Sequence, residues 1–163
     1  MGDGAVTVDG NDDQEGAIVG GPSFVREPNG NITEFSLPGS GGPASINSLG
    51  VITGYFFDSA GLPNGFVRTP DGDITTFSVP DSSATAAYSI NLWGTITGVW
   101  TDATFMFHGY SRSAFGTYAF FDAPDGGPGA FQGTRPSTNN LEGEVAGWVT
   151  TASGGNRGFV WQP

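Results

Sequence analysis

Gly65 to Pro80 reads GFVRTPDGDITTFSVP, and Ser23 to Pro38 reads SFVREPNGNITEFSLP. Ten of the sixteen paired positions are identical, at a constant offset of 42 residues. Within the first stretch, Phe66–Thr69 has strand character and ends at Pro70-Asp71-Gly72. Pro presets φ for the first turn position, Asp suits the second, and Gly takes the left-handed one. Asp73–Val79 then alternates Ile74, Thr76 and Ser78 against Thr75, Phe77 and Val79, the period of a strand. The duplicated stretch is a β-hairpin written twice.

A second motif runs beside the first: Asn or Asp, two residues, Gly, any residue, Ile or Val, any residue, Gly. It stands at Asn47–Gly54 (NSLGVITG), Asn91–Gly98 (NLWGTITG), Asn140–Gly147 (NLEGEVAG) and Asp13–Gly20 (DQEGAIVG). The first motif returns, altered, at Gly109–Pro124, and its opening returns as GFVWQP at Gly158–Pro163. Starts at 23, 65, 109 and 158 are spaced by 42, 44 and 49 residues, a period that belongs to propeller-type repeat architectures. Ala87–Asn91 and Thr95–Trp100 form a second hairpin across Asn91-Leu92-Trp93-Gly94, with Asn first and Gly last. These Asn and Gly residues serve the turns.

Four short strands per unit describe a propeller blade. The expected fold is all-β, a repeat of four-stranded antiparallel units in a small, four-bladed β-propeller. The chain reads as one repeat domain over 1–163: a partial unit 1–22, units 23–64, 65–108 and 109–157, and a closing strand 158–163. Pairing of that strand with the N-terminal half-blade (Ala5–Val8, then Ala17–Gly21) closes the ring and removes exposed edges. Pairing between molecules instead gives a strand-swapped homo-oligomer or filament.

Composition agrees with a folded all-β chain. The 28 Gly and 11 Pro mark turns, while 13% aromatic residues exceed what a solvated low-complexity chain carries. Sixteen acidic residues against five basic ones, all Arg, give a net charge of −11. Such a surface repels phosphate backbones and anionic membranes, so neither nucleic acid binding nor membrane insertion is expected. Without cysteine there is no disulfide framework, thiolate zinc site or cysteine nucleophile. No 18-residue apolar run and no signal sequence is present in the chain; it reads as a mature domain or fragment.

The Gly-Phe opening, Asp-Gly turn, Thr-Phe-x-Val-Pro strand and Ile-Asn-x-x-Gly-x-Ile-x-Gly hairpin resemble the HAF repeat of bacterial extracellular proteins. The residues that carry the resemblance are GFVRTPDGDITTFSVP, Ser89–Gly98 (SINLWGTITG) and His108–Tyr110, and it extends from Asp13 onward. The name-giving His-Ala-Phe triplet reads Asn64-Gly65-Phe66, His108-Gly109-Tyr110 and Arg157-Gly158-Phe159 here. The resemblance implies an exported, extracellular or cell-surface, propeller-like repeat protein, and brings no settled activity.

Few catalysts are available. His108 is the sole histidine, so a multi-histidine metal site is excluded, and it reads as a loop residue closing a turn. The Gly-x-Ser-x-Gly context of a triad serine is absent. Glu142/Glu144, Asp71/Asp73 and Asp122/Asp125 read as solvated turn acids. Asp9, Asn11 and Asp13 have the 1, 3, 5 spacing of a calcium loop, so calcium is the one cofactor the sequence suggests. The loop lacks a Gly at its sixth position and an acid at its twelfth.

Arg26, Arg68 and Arg112 share one repeat column, and Trp161 takes the fourth place. Their expected role is a repeated salt bridge; a ring of Arg around a channel mouth, binding an anion or acidic sugar, is the functional alternative. Trp148 is in register with Tyr55 and Val99, and Trp100 with Phe56 and Val149, so one column faces a core and the other is free for a sugar face. Trp93 occupies a hairpin turn, where exposure is expected. Asp58 and Asp102 stand in loops leading to the next unit. The leading expectation is a non-catalytic, lectin-like binding module for carbohydrate or surface glycan, using Trp93, Trp100, Trp148, Asp58, Asp102, Arg68 and Arg112. A structural or self-assembling repeat protein is the second expectation, and an exported hydrolase the third.

Overall fold

The computed structural model describes residues 16–21 and 23–163 as fourteen strands without a helix. β1 (Ile18–Gly20), β2 (Phe24–Arg26) and β3 (Ile32–Glu34) form one antiparallel sheet. β4 (Ser40–Ile46), β5 (Ile52–Phe57), β6 (Pro63–Arg68) and β7 (Ile74–Phe77) form a second. The third contains β8 (Ala84–Ile90), β9 (Ile96–Thr101), β10 (Phe107–Arg112), β11 (Tyr118–Phe121), β12 (Gly133–Asn139), β13 (Val145–Thr150) and β14 (Asn156–Trp161). Its two parts, β8–β11 and β12–β14, are joined by the single parallel pair Phe107–Gly133. All other pairings are antiparallel.

Two expectations are corrected. The sheets do not close: among the described residues β14 pairs with β13 alone, and β1 with β2 alone. The Thr151–Gly155 turn, in which Thr151 accepts from Gly154 and donates to Gly155, folds β14 straight back onto β13. Ala5–Val8, the strand expected to complete the ring, lies outside the described residues. The sheets are also phased half a repeat away from the sequence units. The boundaries at 64/65, 108/109 and 157/158 fall inside β6, β10 and β14. The reason is local. Asp58–Leu62 and Asp102–Met106 are tight hairpin turns within a sheet, whereas Ser78–Ser83 carries the chain from one sheet to the next.

β4, β8 and β12 are bulged at the same column, between Pro43 and Ser45, Ala87 and Ser89, and Pro136 and Thr138. The bulge drives its backbone onto the next strand, where the motif's second Gly stands. A Cβ at Gly54, Gly98 or Gly147 would overlap the carbonyls of Gly42, Ala86 and Arg135 respectively. That column is Gly because a backbone passes over it.

The cores lie between sheets. Ala17, Val19, Ile46, Ile52, Phe56 and Phe66 pack between the first and second sheets. Val79, Ala87, Ile90, Ile96 and Tyr110 pack between the second and third, with Val51, Val67 and Phe77 against them. Phe66 and Tyr110, one repeat column, are fully buried. Among the described residues no helix is long and apolar enough to cross a membrane.

Candidate functional site

The NxxG turns do more than turn the chain. Asn47 Oδ1 accepts the Leu49 and Val51 N–H groups, and Asn91 Oδ1 accepts those of Trp93 and Thr95. The amide nitrogen is left over, and it reaches the next repeat: Asn47 Nδ2 donates to the Asn91 carbonyl at 3.0 Å, and Asn91 Nδ2 to the Asn140 carbonyl at 2.9 Å. Asp would cap the turn but could not donate this bond. The stitches hold neighbouring turns side by side, and a groove of about 380 Å³ opens between two of them.

Asn47, Leu49, Leu92, Trp93, Val67 and Arg112 line this groove, together with other apolar residues of the second and third sheets. Trp93 is 68% exposed and Leu49 62%. They occupy the same motif position in successive turns, so the stitch that aligns the turns also aligns these side chains along one rim. The Arg112 guanidinium lies 4.6 Å from the Phe77 ring centroid and 5.9 Å from that of Tyr118. One of its terminal nitrogens donates to the Ser113 carbonyl at 3.4 Å, while Nε is buried with no hydrogen-bond partner. The lining contains no carboxylate or histidine. A flat exposed ring beside a cation held on aromatic faces can stack on a sugar and donate to its hydroxyls or carboxylate. It has no acid–base pair with which to break a bond.

The Arg column makes no carboxylate ion pair among the described residues, which corrects the expected salt bridge. Arg68 lies 5.0 Å over Phe35 and Arg112 over Phe77, each ring belonging to the preceding sheet. Trp161 continues the series by stacking on Phe121 at 4.3 Å with an interplanar angle of 11°. The column is an aromatic stack, cationic and between sheets at Arg68 and Arg112, neutral and between β11 and β14 of the third sheet at Trp161. Arg68 is 8% exposed and belongs to this packing.

Trp100 is taken up by another cluster. It stacks on His108 at 4.3 Å, and the imidazole Nδ1 stands 3.0 Å from both Asp122 carboxylate oxygens. His108 Nε2 faces Asp102 at 3.6 Å, beyond hydrogen-bond contact. His108 is therefore a strand residue opposite Trp100 in β9, not a loop residue. Both nitrogens face carboxylates, whereas a hydrolytic triad sets its histidine between a carboxylate and a nucleophile.

Asp58 and Asp102 cap the hairpin turns. Asp58 Oδ1 accepts the N–H groups of Ala60 and Leu62, and Asp102 Oδ1 accepts those of Thr104 and Met106 and the Thr104 hydroxyl. The Leu62 N–H foremost holds Asp58 below the ordinary carboxylate range, and the Thr104 hydroxyl does the same for Asp102. Trp148, 40% exposed, stands apart in β13 opposite Arg135 and Gly158. Of the seven expected ligand-binding residues, the groove brings together Trp93 and Arg112. Asp9, Asn11 and Asp13 lie outside the described residues. Among those described, no cluster of three or more His, Asp or Glu residues is placed to hold a metal. Leu49 and Leu92 were missed; the alignment of NSLG with NLWG carries their signal, because it sets Leu49 and Trp93 in one column.

No family model matches the chain, and no curated protein matches it. Among solved structures it is similar to a streptogramin B lyase, with a TM-score of 0.54 and 18% identity over 94% of this chain and 54% of that one. It is similar in the same way to virginiamycin B lyase from Staphylococcus aureus, with a TM-score of 0.54 and 17% identity over 94% of this chain and 55% of the other. The chain thus spans about half the length of these structures. Both are β-propellers, and at this identity the likeness concerns fold alone: the chain is an all-β protein of antiparallel sheets with a propeller-like arrangement.

Proposed function

We propose that this chain is a non-catalytic, extracellular binding module of the HAF-repeat kind, a four-bladed propeller that holds carbohydrate or a surface glycan in the groove between Trp93 and Arg112. The observation that carries the reading is Trp93 itself. A tryptophan two-thirds exposed on a stitched turn, at the rim of a groove whose one ionisable group is an arginine, is an aromatic platform with a donor beside it. Within a molecule of net charge −11, that arginine is the local attraction for an acidic sugar. The four-bladed reading follows from taking β8–β11 and β12–β14 as separate blades hinged at one bridged pair.

A glycan array tests the proposal, run with wild type and Trp93→Ala, each in calcium and in chelator. Binding by wild type in both buffers, lost in Trp93→Ala, is the expected result. Binding in calcium alone would move the site to Asp9, Asn11 and Asp13. Silence in both would overturn the carbohydrate reading. A structural, strand-adding role is the second reading, favoured by the edge of β14 that pairs with no strand among the described residues.

A further inference from the structure

β14 is an unfinished copy. In the second sheet, β6 carries Gly65, and the Phe77 ring of β7 covers it, so near that a Cβ there would meet ring carbons at 2.5 and 2.6 Å. In the third, Gly109 of β10 is covered in the same register by Phe121 of β11. Gly158 is the third member of this column. A Cβ there would find nothing nearer than the Gly147 carbonyl at 3.9 Å, and among the described residues no strand pairs beyond β14.

Exposure follows the same pattern. Phe66 and Tyr110 are fully buried while Phe159, their counterpart, is half-buried, and Val160 is 68% exposed. Trp148, opposite Gly158 on the same face, keeps 40% of its surface open where Tyr55 and Val99, its counterparts, are more buried. The aromatic series tells of one absent ring as well. Phe35 and Phe77 each meet the Arg of the following sheet, and Phe121 of β11 meets Trp161 of β14. Arg26, the remaining Arg of the column, has no ring against it among the described residues.

We infer that the free edge of β14 is a docking site for an extended peptide segment of the repeat's own outer-strand chemistry, Ile-Thr-x-Phe, whose Phe seats over Gly158 beside Trp148. The occupant must bring an aromatic residue in register, since the two completed sheets fill this place with Phe77 and Phe121. Backbone pairing supplies general affinity and the ring supplies the choice of partner. The N-terminal segment Met1–Glu15 contains no aromatic residue and so supplies no ring for this position.

The test uses the full chain and a fluorescent peptide of Gly72–Pro80, GDITTFSVP. Saturable binding is expected, at least tenfold weaker for the peptide carrying Phe77→Ala, with slowed amide hydrogen exchange over 156–161. Gly158→Val fills the ring's place in open space, so it folds with an unchanged melting temperature and no longer binds. Trp93→Ala binds the peptide as wild type does, which separates this site from the glycan groove. Equal binding of both peptides, or full binding by Gly158→Val, would overturn the inference. Self-association that Gly158→Val abolishes and the peptide does not compete would assign the edge to a second copy, and would overturn it too.

Discussion

At the scale of single residues, the arginines are more informative about packing than about charge. Among the described residues Arg68 is buried on Phe35 without a carboxylate partner, so its contribution is contact and cation–π attraction of order 1 kcal/mol. Arg68→Met keeps the contact and is expected to cost no more than about 1 kcal/mol in chemical denaturation. Arg68→Glu, which buries an unpaired charge on a ring face, costs several times that. Asn91 carries two turn acceptances and one donation to the next repeat's turn. Asn91→Ala is expected to destabilise by about 2–3 kcal/mol, and Asn91→Asp, which retains the turn bonds, by clearly less. The capping carboxyls set an acid limit. Asp58 and Asp102 hold their protons less tightly when folded than their ordinary value of 3.8 implies. What they add to stability is thus fully present above that value and lost as pH falls through their lower folded values. Replacing both with Asn is expected to flatten the fall in melting temperature below about pH 4; an unchanged slope would show that the acid transition has another source.

At the scale of elements, glycine columns divide into those a neighbour requires and one that awaits a neighbour. Gly109→Ala forces a Cβ into the Phe121 ring and is expected to cost about 1–3 kcal/mol, while Gly158→Ala is expected to be neutral. Equal losses at both positions in thermal denaturation would contradict the account of β14. The hairpins themselves were legible, because Asn-x-x-Gly and Pro-Asp-Gly are chemically specific turn signals. The grouping of hairpins into sheets was not. A repeat can be cut at any phase, and the phase is set by Asp58 and Asp102, whose carboxylates tie β5 to β6 and β9 to β10 as tight turns. Read as loops between units, they misplace every sheet boundary by two strands. The Arg column was visible in register, but its partner is an aromatic residue about 35 positions earlier in the chain. Nothing local to Arg112 points to Phe77.

At the scale of the whole molecule, the stitched turns convert a one-dimensional repeat into a surface. Asn47, Asn91 and Asn140 bring equivalent turns together, and only where the motif's third position holds Leu49 and then Trp93 does the rim become apolar. At the next turn the same position holds Glu142. On the proposed carbohydrate-binding reading, one site rather than a ring of equal sites is the consequence, and its arginine is proposed to favour an acidic sugar over a neutral one. Trp93→Ala leaves the fold alone, within about 0.5 kcal/mol, because the side chain is mostly in solvent. The decisive measurement is calorimetric titration of an array-selected acidic glycan into wild type, Trp93→Ala and Arg112→Met. The account predicts one site per chain, no detectable binding to Trp93→Ala, and for Arg112→Met roughly a tenfold loss, equivalent to about 1.4 kcal/mol, which a neutral analogue of the glycan does not show. Wild-type affinity retained by Trp93→Ala would contradict it.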